Sequence, residues 1–312
     1  MKICIILLMS LLSLISCQKY EQDNLDASFL NVKDLDAYLV EEESKYDDIV
    51  PGTEKVIHWY KESGRKTPLS IVYIHGFSAT RMEVEPVPDQ IADRIGANIF
   101  FTRLKGHGRT GEALGSASLE DWFQDMEEAM DIGKKIGEKV ILMGTSTGAT
   151  LETWYATRSQ EDIEALLFIS PNFYPKNKMS TLLTWPGAKN WLVPIIGKET
   201  SFTPLNEQHA LYWTESYPTQ ALFPMMDLVK ATEKSNIEDI KVPVLIFYSP
   251  KDHVVEPKRT EKVFNQFSSV KKEILPIVEG DNEEMHVIAG DILSPSNDEY
   301  FIEKAVEFID SL

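Results

Sequence analysis

The sequence predicts an α/β protein with a mostly parallel central sheet flanked by helices and a helical cap insertion. Beyond the turn signal Pro51-Gly52, short apolar runs alternate with longer amphipathic segments, the alternation of strand and helix that builds parallel sheets. Several runs are apolar almost throughout, as strands covered on both faces should be. A stretch of about 70 residues rich in Trp, Phe and Met separates two of these runs, too long and too apolar for a plain loop.

Composition narrows the function. With 312 residues, 43% apolar and 26% charged, the chain is globular rather than disordered or fibrous. Lys+Arg of 31 against Asp+Glu of 49 gives a net charge of -18, which repels phosphate backbones and argues against a nucleic-acid partner. The two cysteines, Cys4 and Cys17, exclude a disulfide framework and a thiolate zinc site. Six scattered histidines form no clustered ligand set, so no metal or organic cofactor is implied.

Residues 1–16 join a basic start to the largely apolar run Ile3 to Ile15, too short for a bilayer core of about 30 Å but suited to a secretory signal. Leu14-Ile15-Ser16-Cys17 resembles the lipobox of bacterial lipoproteins. That resemblance implies removal of residues 1–16, acylation of Cys17 and a lipid-anchored address in the bacterial cell envelope, on the periplasmic side or the outer surface. Cys4 is then discarded and no free thiol remains. Residues 17–54 read as an acidic tether ending in a docking helix around Leu35 to Val40.

Residues 55–312 form the main domain. Strands are expected at Lys55 to Tyr60, Leu69 to Ile74, Ala97 to Thr102, Lys139 to Met143, Ala165 to Ile169, Val242 to Tyr248 and Glu273 to Ile277. Ser118-Leu119-Glu120-Asp121 opens a helix with a capping box, and Trp122, Phe123, Met126 and Met130 then recur at near-helical spacing. Asn297 to Ile309 should form the closing helix, with Phe301, Ile302, Ala305 and Phe308 on one side. The cap insertion spans about residues 171–235 and carries Trp185, Trp191, Phe202, Trp213 and Met225. These side chains suit either an acyl-accommodating pocket or the cap's own small core.

The chemistry centres on Gly144-Thr145-Ser146-Thr147-Gly148, set between the strand Lys139 to Met143 and a helix over Ala149 to Thr157. A serine at such a junction is held in a strained turn, and the flanking glycines avoid clashes with strand and helix. Gly-x-Ser-x-Gly in this context resembles the nucleophile elbow of the α/β-hydrolase superfamily. A serine nucleophile needs a base, and the base needs a partner that fixes its tautomer. The superfamily's chain order of Ser, acid, His implies Ser146 as nucleophile, Asp252 on the loop after Val242 to Tyr248 as the acid, and His286 on the loop before the last helix as the base. His253 is an alternative base, and Asp281, Glu283 and Glu284 are alternative partners for His286. His58 and His209 read as structural or exposed.

The strand Leu69 to Ile74 runs into His75-Gly76-Phe77, which resembles the superfamily's oxyanion turn. The implied donors are the backbone N–H groups of Phe77 and Thr147, with His75 bracing the loop. Gly106-His107-Gly108 resembles the family's Gly-His-Gly loop, with His107 structural. The whole constellation matches the monoacylglycerol lipase, esterase and serine aminopeptidase branch. It implies cleavage of lipid-like or small acyl esters through an acyl-enzyme on Ser146. The same constellation also serves amide hydrolysis or acyl transfer to another acceptor. A surface-anchored binding lipoprotein that kept the fold and lost the chemistry is the alternative outside enzymes.

Overall fold

Side-chain alternation along the strands decides what each face of the sheet carries. The computed structural model describes residues 34–312; the signal segment 1–16, Cys17 and the acidic stretch as far as residue 33 lie outside the described residues. In chain order, α1 (Leu35–Glu43) is followed by β1 (Val56–His58), β2 (Thr67–Ile74), α2 (Val87–Ile95), β3 (Asn98–Phe101), α3 (Gly111–Ser116), α4 (Leu119–Ile136), β4 (Gly137–Thr145), α5 (Thr147–Ala156) and β5 (Ile163–Ile169). The insertion supplies α6 (Ala188–Trp191), α7 (Val193–Ile196), β6 (Glu199–Ser201), α8 (Glu207–Tyr212), β7 (Ser216–Pro218) and α9 (Leu222–Glu233). The chain then returns to the sheet through β8 (Val244–Tyr248), α10 (Pro257–Gln266), β9 (Lys272–Pro276) and α11 (Asp298–Asp310).

Seven strands form one sheet in the order β1-β3-β2-β4-β5-β8-β9, parallel except where β1 meets β3. Each falls on one of the predicted apolar runs. Val72, Ile74, Val140, Leu142 and Phe168 belong to a core shared with α4 and α5. Ile71, Tyr73, Ile141, Met143 and Leu167, their neighbours in sequence, pack with α2 and α11 on the other face. Both faces are covered, which accounts for the nearly unbroken apolarity of the central strands.

The predicted capping box is present. Ser118 Oγ accepts the Asp121 N–H at 3.1 Å and Asp121 Oδ2 accepts the Ser118 N–H at 2.8 Å. Every residue of α5 is buried, because this helix lies between the sheet, α4 and α9. The insertion departs from the expected all-helical form: β6 and β7 pair as an antiparallel ribbon. The three-residue strands Glu199-Thr200-Ser201 and Ser216-Tyr217-Pro218 lack the apolar run that marks equally short β1 in sequence.

The helix α1 starts at Asp34, whose side chain accepts the Ala37 N–H at 3.0 Å, and puts Leu39 into the core. At its other end Glu43 meets Arg103 in a buried bidentate pair, Nε–Oε2 2.8 Å and Nη2–Oε1 2.7 Å. Glu43 also accepts the Lys55 N–H, and Arg103 donates to the His107 carbonyl. One ion pair thus joins α1, the start of β1 and the loop that follows β3.

Removing one partner of a buried pair leaves the other charge uncompensated. Arg103→Ala should therefore lose about 3–5 kcal/mol of stability, measured by urea unfolding.

Candidate active site

The strand β4 ends at Thr145 and α5 begins at Thr147, so Ser146 alone makes the turn, at φ 51° and ψ -110°. Such a positive φ is costly for a residue with a Cβ. It persists because the backbone around it is fully engaged: the Ser146 N–H donates to the Ile169 carbonyl at 2.9 Å, and its carbonyl accepts from the amides of Thr150 and Asn172 at 3.2 and 3.0 Å. The helix also sits so close to β2 that a Cβ on Gly148 would lie 2.0 Å from the Ile74 carbonyl oxygen. Glycine is required there by contact, as the elbow pattern implies.

Ser146, His286 and Asp252 come together from three separate segments. His286 Nε2 lies 3.0 Å from Ser146 Oγ, and its Nδ1 lies 2.7 Å from Asp252 Oδ2. Asp252 is 2% exposed, and its other oxygen accepts the amides of Val254 and Val255 at 2.7 and 2.8 Å. With one oxygen held by its own turn, the carboxylate presents the second to the imidazole. Burial opposes a charge on His286, yet Asp252, by charge and hydrogen bond, and then Glu83 and Glu284 together hold its pKa above the ordinary value. This arrangement can take the Ser146 proton and keep the resulting imidazolium in place.

Of the alternatives, Glu284 stays at the site, lining the cavity and favouring a charged His286, while the others fall elsewhere. His253 is exposed, with its backbone N–H bonded to the Glu284 carbonyl. Asp281 accepts from Ser296, and Glu283 is exposed. His58 stands on the edge strand β1, 2.6 Å from Asp89.

The turn after β2 is held from two sides. His75 Nε2 accepts the Leu104 N–H at 3.1 Å, so the ring proton is on Nδ1, which donates to the Gly76 carbonyl at 2.9 Å. Burial pushes the His75 pKa down to about 4, keeping the ring neutral. Because C=O and N–H point oppositely across a trans peptide, holding the Gly76 carbonyl aims the Phe77 N–H the other way. Among the described residues, neither the Phe77 nor the Thr147 amide donates to another group. His107 is buried beside His75, ring centroids 4.8 Å apart, and against Trp122.

A cavity of about 540 Å³ opens over Ser146 and His286, walled by Phe77, Phe202, Trp213, Tyr217, Met225 and Leu293. The insertion's apolar side chains divide between the two uses open to them, but Trp185 and Trp191 serve neither: they are exposed and pack against each other at the surface. Phe202, Trp213 and Met225 face the cavity, while Phe223, Met226 and Leu228 fill the core beneath.

Sequence reasoning missed three groups. His209 lines the cavity, stacked on Phe202, and accepts the Leu205 N–H at Nδ1, which leaves its proton on Nε2. Asn172 also lines the cavity, and its Oδ1 has no partner among the described residues. Glu83, fully buried beneath the turn, accepts the Gly76 N–H and the Tyr73 hydroxyl. None stands in a motif, since each is placed by tertiary packing.

A family model described as serine aminopeptidase, S33, matches residues 66–280, a span that includes Ser146 and Asp252 and stops short of His286. The thermostable monoacylglycerol lipase of Bacillus sp. (strain H-257) is 28% identical over 250 residues, which are 80% of this chain and 92% of the relative. Among solved structures, one from a study of the metagenome-derived lipolytic enzymes LipS and LipT shares the fold at a TM-score of 0.69 and 22% identity, covering 85% of this chain and all of that one. The monoacylglycerol lipase of Paleococcus ferrophilus does so at 0.61 and 17% identity, covering 82% and 98%.

Only neutral His286 can accept the Ser146 proton. Labelling of Ser146 by a fluorophosphonate should therefore fall as pH drops through a midpoint above the ordinary histidine value of about 6.5, measured as labelling rate against pH. Asp252→Asn should slow that labelling by roughly 10⁴-fold, as expected when the base loses its correct tautomer.

Proposed function

Since this chain belongs to the serine aminopeptidase, S33, family, we propose that it is a serine hydrolase of carboxylic esters, lipid-like or small acyl, working through an acyl-enzyme on Ser146. The observation that carries this reading is the pair of contacts at 3.0 and 2.7 Å linking Ser146, His286 and Asp252 at the floor of an apolar cavity. Similarity to a monoacylglycerol lipase supports ester over amide cleavage.

In the first half-reaction, His286 Nε2 takes the Ser146 proton as Oγ attacks the ester carbonyl. The new oxyanion is received by the N–H groups of Phe77 and Thr147, each such donor being worth about 2.7–4 kcal/mol. Imidazolium, held by Asp252, then protonates the departing alcohol. In the second half, His286 activates a water that attacks the acyl-serine, and the carboxylic acid leaves as Ser146 regains its proton. An acyl chain lies against Phe202, Trp213 and Met225, where aromatic and thioether groups accommodate flexible apolar surface.

The same reading extends to the address. The basic start, apolar run and Leu14-Ile15-Ser16-Cys17 support export and acylation at Cys17, with the acidic stretch after it carrying the hydrolase on a membrane of the bacterial cell envelope.

Ser146→Ala should abolish hydrolysis of p-nitrophenyl esters with an unchanged unfolding midpoint. A series of esters of graded chain length beside aminoacyl p-nitroanilides should show esters turned over at least tenfold faster; faster cleavage of the anilides would overturn the ester reading. Cys17→Ser should move the protein from the membrane to the soluble fraction of fractionated cells, and mass spectrometry of the N-terminal peptide should show acyl chains on wild-type Cys17.

A further inference from the structure

Beneath the nucleophile lies a second carboxyl group, that of Glu83. Its segment, the turn at Arg81–Val84 between β2 and α2, carries none of the motifs that mark the site. Glu83 is 2% exposed and its Oε1 accepts two hydrogen bonds, from the Gly76 N–H at 2.6 Å and from the Tyr73 hydroxyl at 2.8 Å. Since Tyr73 spends its proton on Glu83, the Thr145 hydroxyl, 2.9 Å away, donates to the Tyr73 oxygen. The three side chains join the oxyanion turn, the middle of the sheet and the last residue before Ser146.

The carboxyl also lies directly behind the nucleophile. A Cβ built on Gly76 would be 2.9 Å from Glu83 Oε2 and 3.3 Å from Ser146 Cβ, so only the glycine backbone separates the two. The adjoining backbone of this segment is bonded to the loop that carries His286: the Asp291 N–H donates to the Glu85 carbonyl at 2.8 Å. One carboxyl therefore touches the turn that receives the oxyanion and backs onto the serine that gives its proton to His286.

Resting on the serine-hydrolase reading, we propose that Glu83 is a positioning residue of the acyl transfer: it pins the oxyanion turn through Gly76 and sets a second carboxyl opposite His286.

The two roles can be separated. The pinning role needs only an acceptor for the Gly76 N–H, complementing His75, which holds the Gly76 carbonyl from the other side. The electrostatic role needs charge. Burial raises the Glu83 carboxyl to about pH 7, opposed by hydrogen bonds from Tyr73 and Gly76 and by His286. The titratable groups facing Glu83 are Tyr73 from β2 and His286; those facing His286 are Asp252 from the loop after β8, Glu83, and Glu284 from its own loop. Ionised Glu83 favours the imidazolium form of His286 and disfavours negative charge on the substrate oxygen. The protonated carboxyl does neither. Charge at this position therefore shifts the pH at which His286 becomes a base, whereas the hydrogen bond governs how well the oxyanion is met.

Glu83→Gln keeps the acceptor and removes the charge. The kcat for p-nitrophenyl ester hydrolysis should stay within about threefold of wild type, and the acid limb of kcat/KM should move to lower pH, because one of the groups favouring imidazolium is gone. Glu83→Ala removes both, so kcat should fall at least tenfold with KM within about twofold, and the acid limb should move as in the Gln variant. If Glu83→Ala unfolds below the assay temperature, Glu83→Asp, whose carboxylate is too short to reach Gly76, replaces it with the same expectation for kcat. An unmoved acid limb in Glu83→Gln, or wild-type kcat in Glu83→Ala or Glu83→Asp, overturns the proposal. Ser146→Ala is measured beside them: hydrolysis surviving in that variant overturns the reading of the site itself, while its loss alongside wild-type behaviour of the Glu83 variants overturns the role of Glu83 alone.

Discussion

The unfavourable backbone of Ser146, at φ 51° and ψ -110°, is the constraint on which the rest of the structure depends. Such a conformation costs on the order of 1–3 kcal/mol and survives only where its surroundings leave no alternative. Here the surroundings are three adjacent strands and one helix. The strand β4 brings the chain in, β5 supplies the carbonyl that takes the Ser146 N–H, and β2 forms the floor that Gly148 touches. Wholly buried α5 cannot tilt to relieve the turn. The parallel order of the central strands is thus what holds the hydroxyl at their carboxyl edge.

A second theme is buried acidity. Asp252, Glu83 and Glu152 all lie at or beneath the elbow, and each is handled differently. Asp252 is compensated by two amides and His286. Glu83 is compensated by Tyr73 and Gly76 and left with a raised pKa. Glu152 has no hydrogen-bond partner for either oxygen among the described residues, and burial pushes it well above the carboxylate range. A carboxylic acid kept neutral in this way stabilises the folded protein less as pH rises past the unfolded value, since the unfolded chain releases the proton first.

How much of this was legible in sequence depends on whether the signal was local. The central strands could be read because both faces of the sheet are covered there and their runs are nearly unbroken, while the edge strands β1 and β9 showed as shorter apolar runs between turn signals. The α4 capping box and the α11 stripe could be read because they lie within one helix. Ser146, Asp252 and His286 stand in recognisable surroundings in a fixed chain order, and the structure brings all three within hydrogen-bond reach. Glu83 looked like one more acid among 49, and His209 like a stray histidine, because burial and cavity walls arise from segments far apart in the chain. The ribbon of β6 and β7 was invisible for a different reason, its lack of an apolar run.

The register of the sheet also says something about the insertion. Strand β5 pairs directly with β8, Leu166 opposite Val244, so the excursion between them leaves and re-enters one sheet at neighbouring strands, about 4.8 Å apart. Its ends are therefore closed by the scaffold whatever lies between. Closing a flexible loop of doubled length costs only about 0.6 kcal/mol more, so residues added in its exposed stretches weigh little, whereas α9 is fixed by Phe223, Met226 and Leu228 in the core. Ser146, Asp252 and His286 all lie outside the excursion, whereas Phe202, His209, Trp213 and Met225 lie within it. The reacting groups thus stand wholly on the scaffold, while the wall above them is shared, with Phe77 and Leu293 supplied by the scaffold and Phe202, Trp213, Tyr217 and Met225 by the excursion.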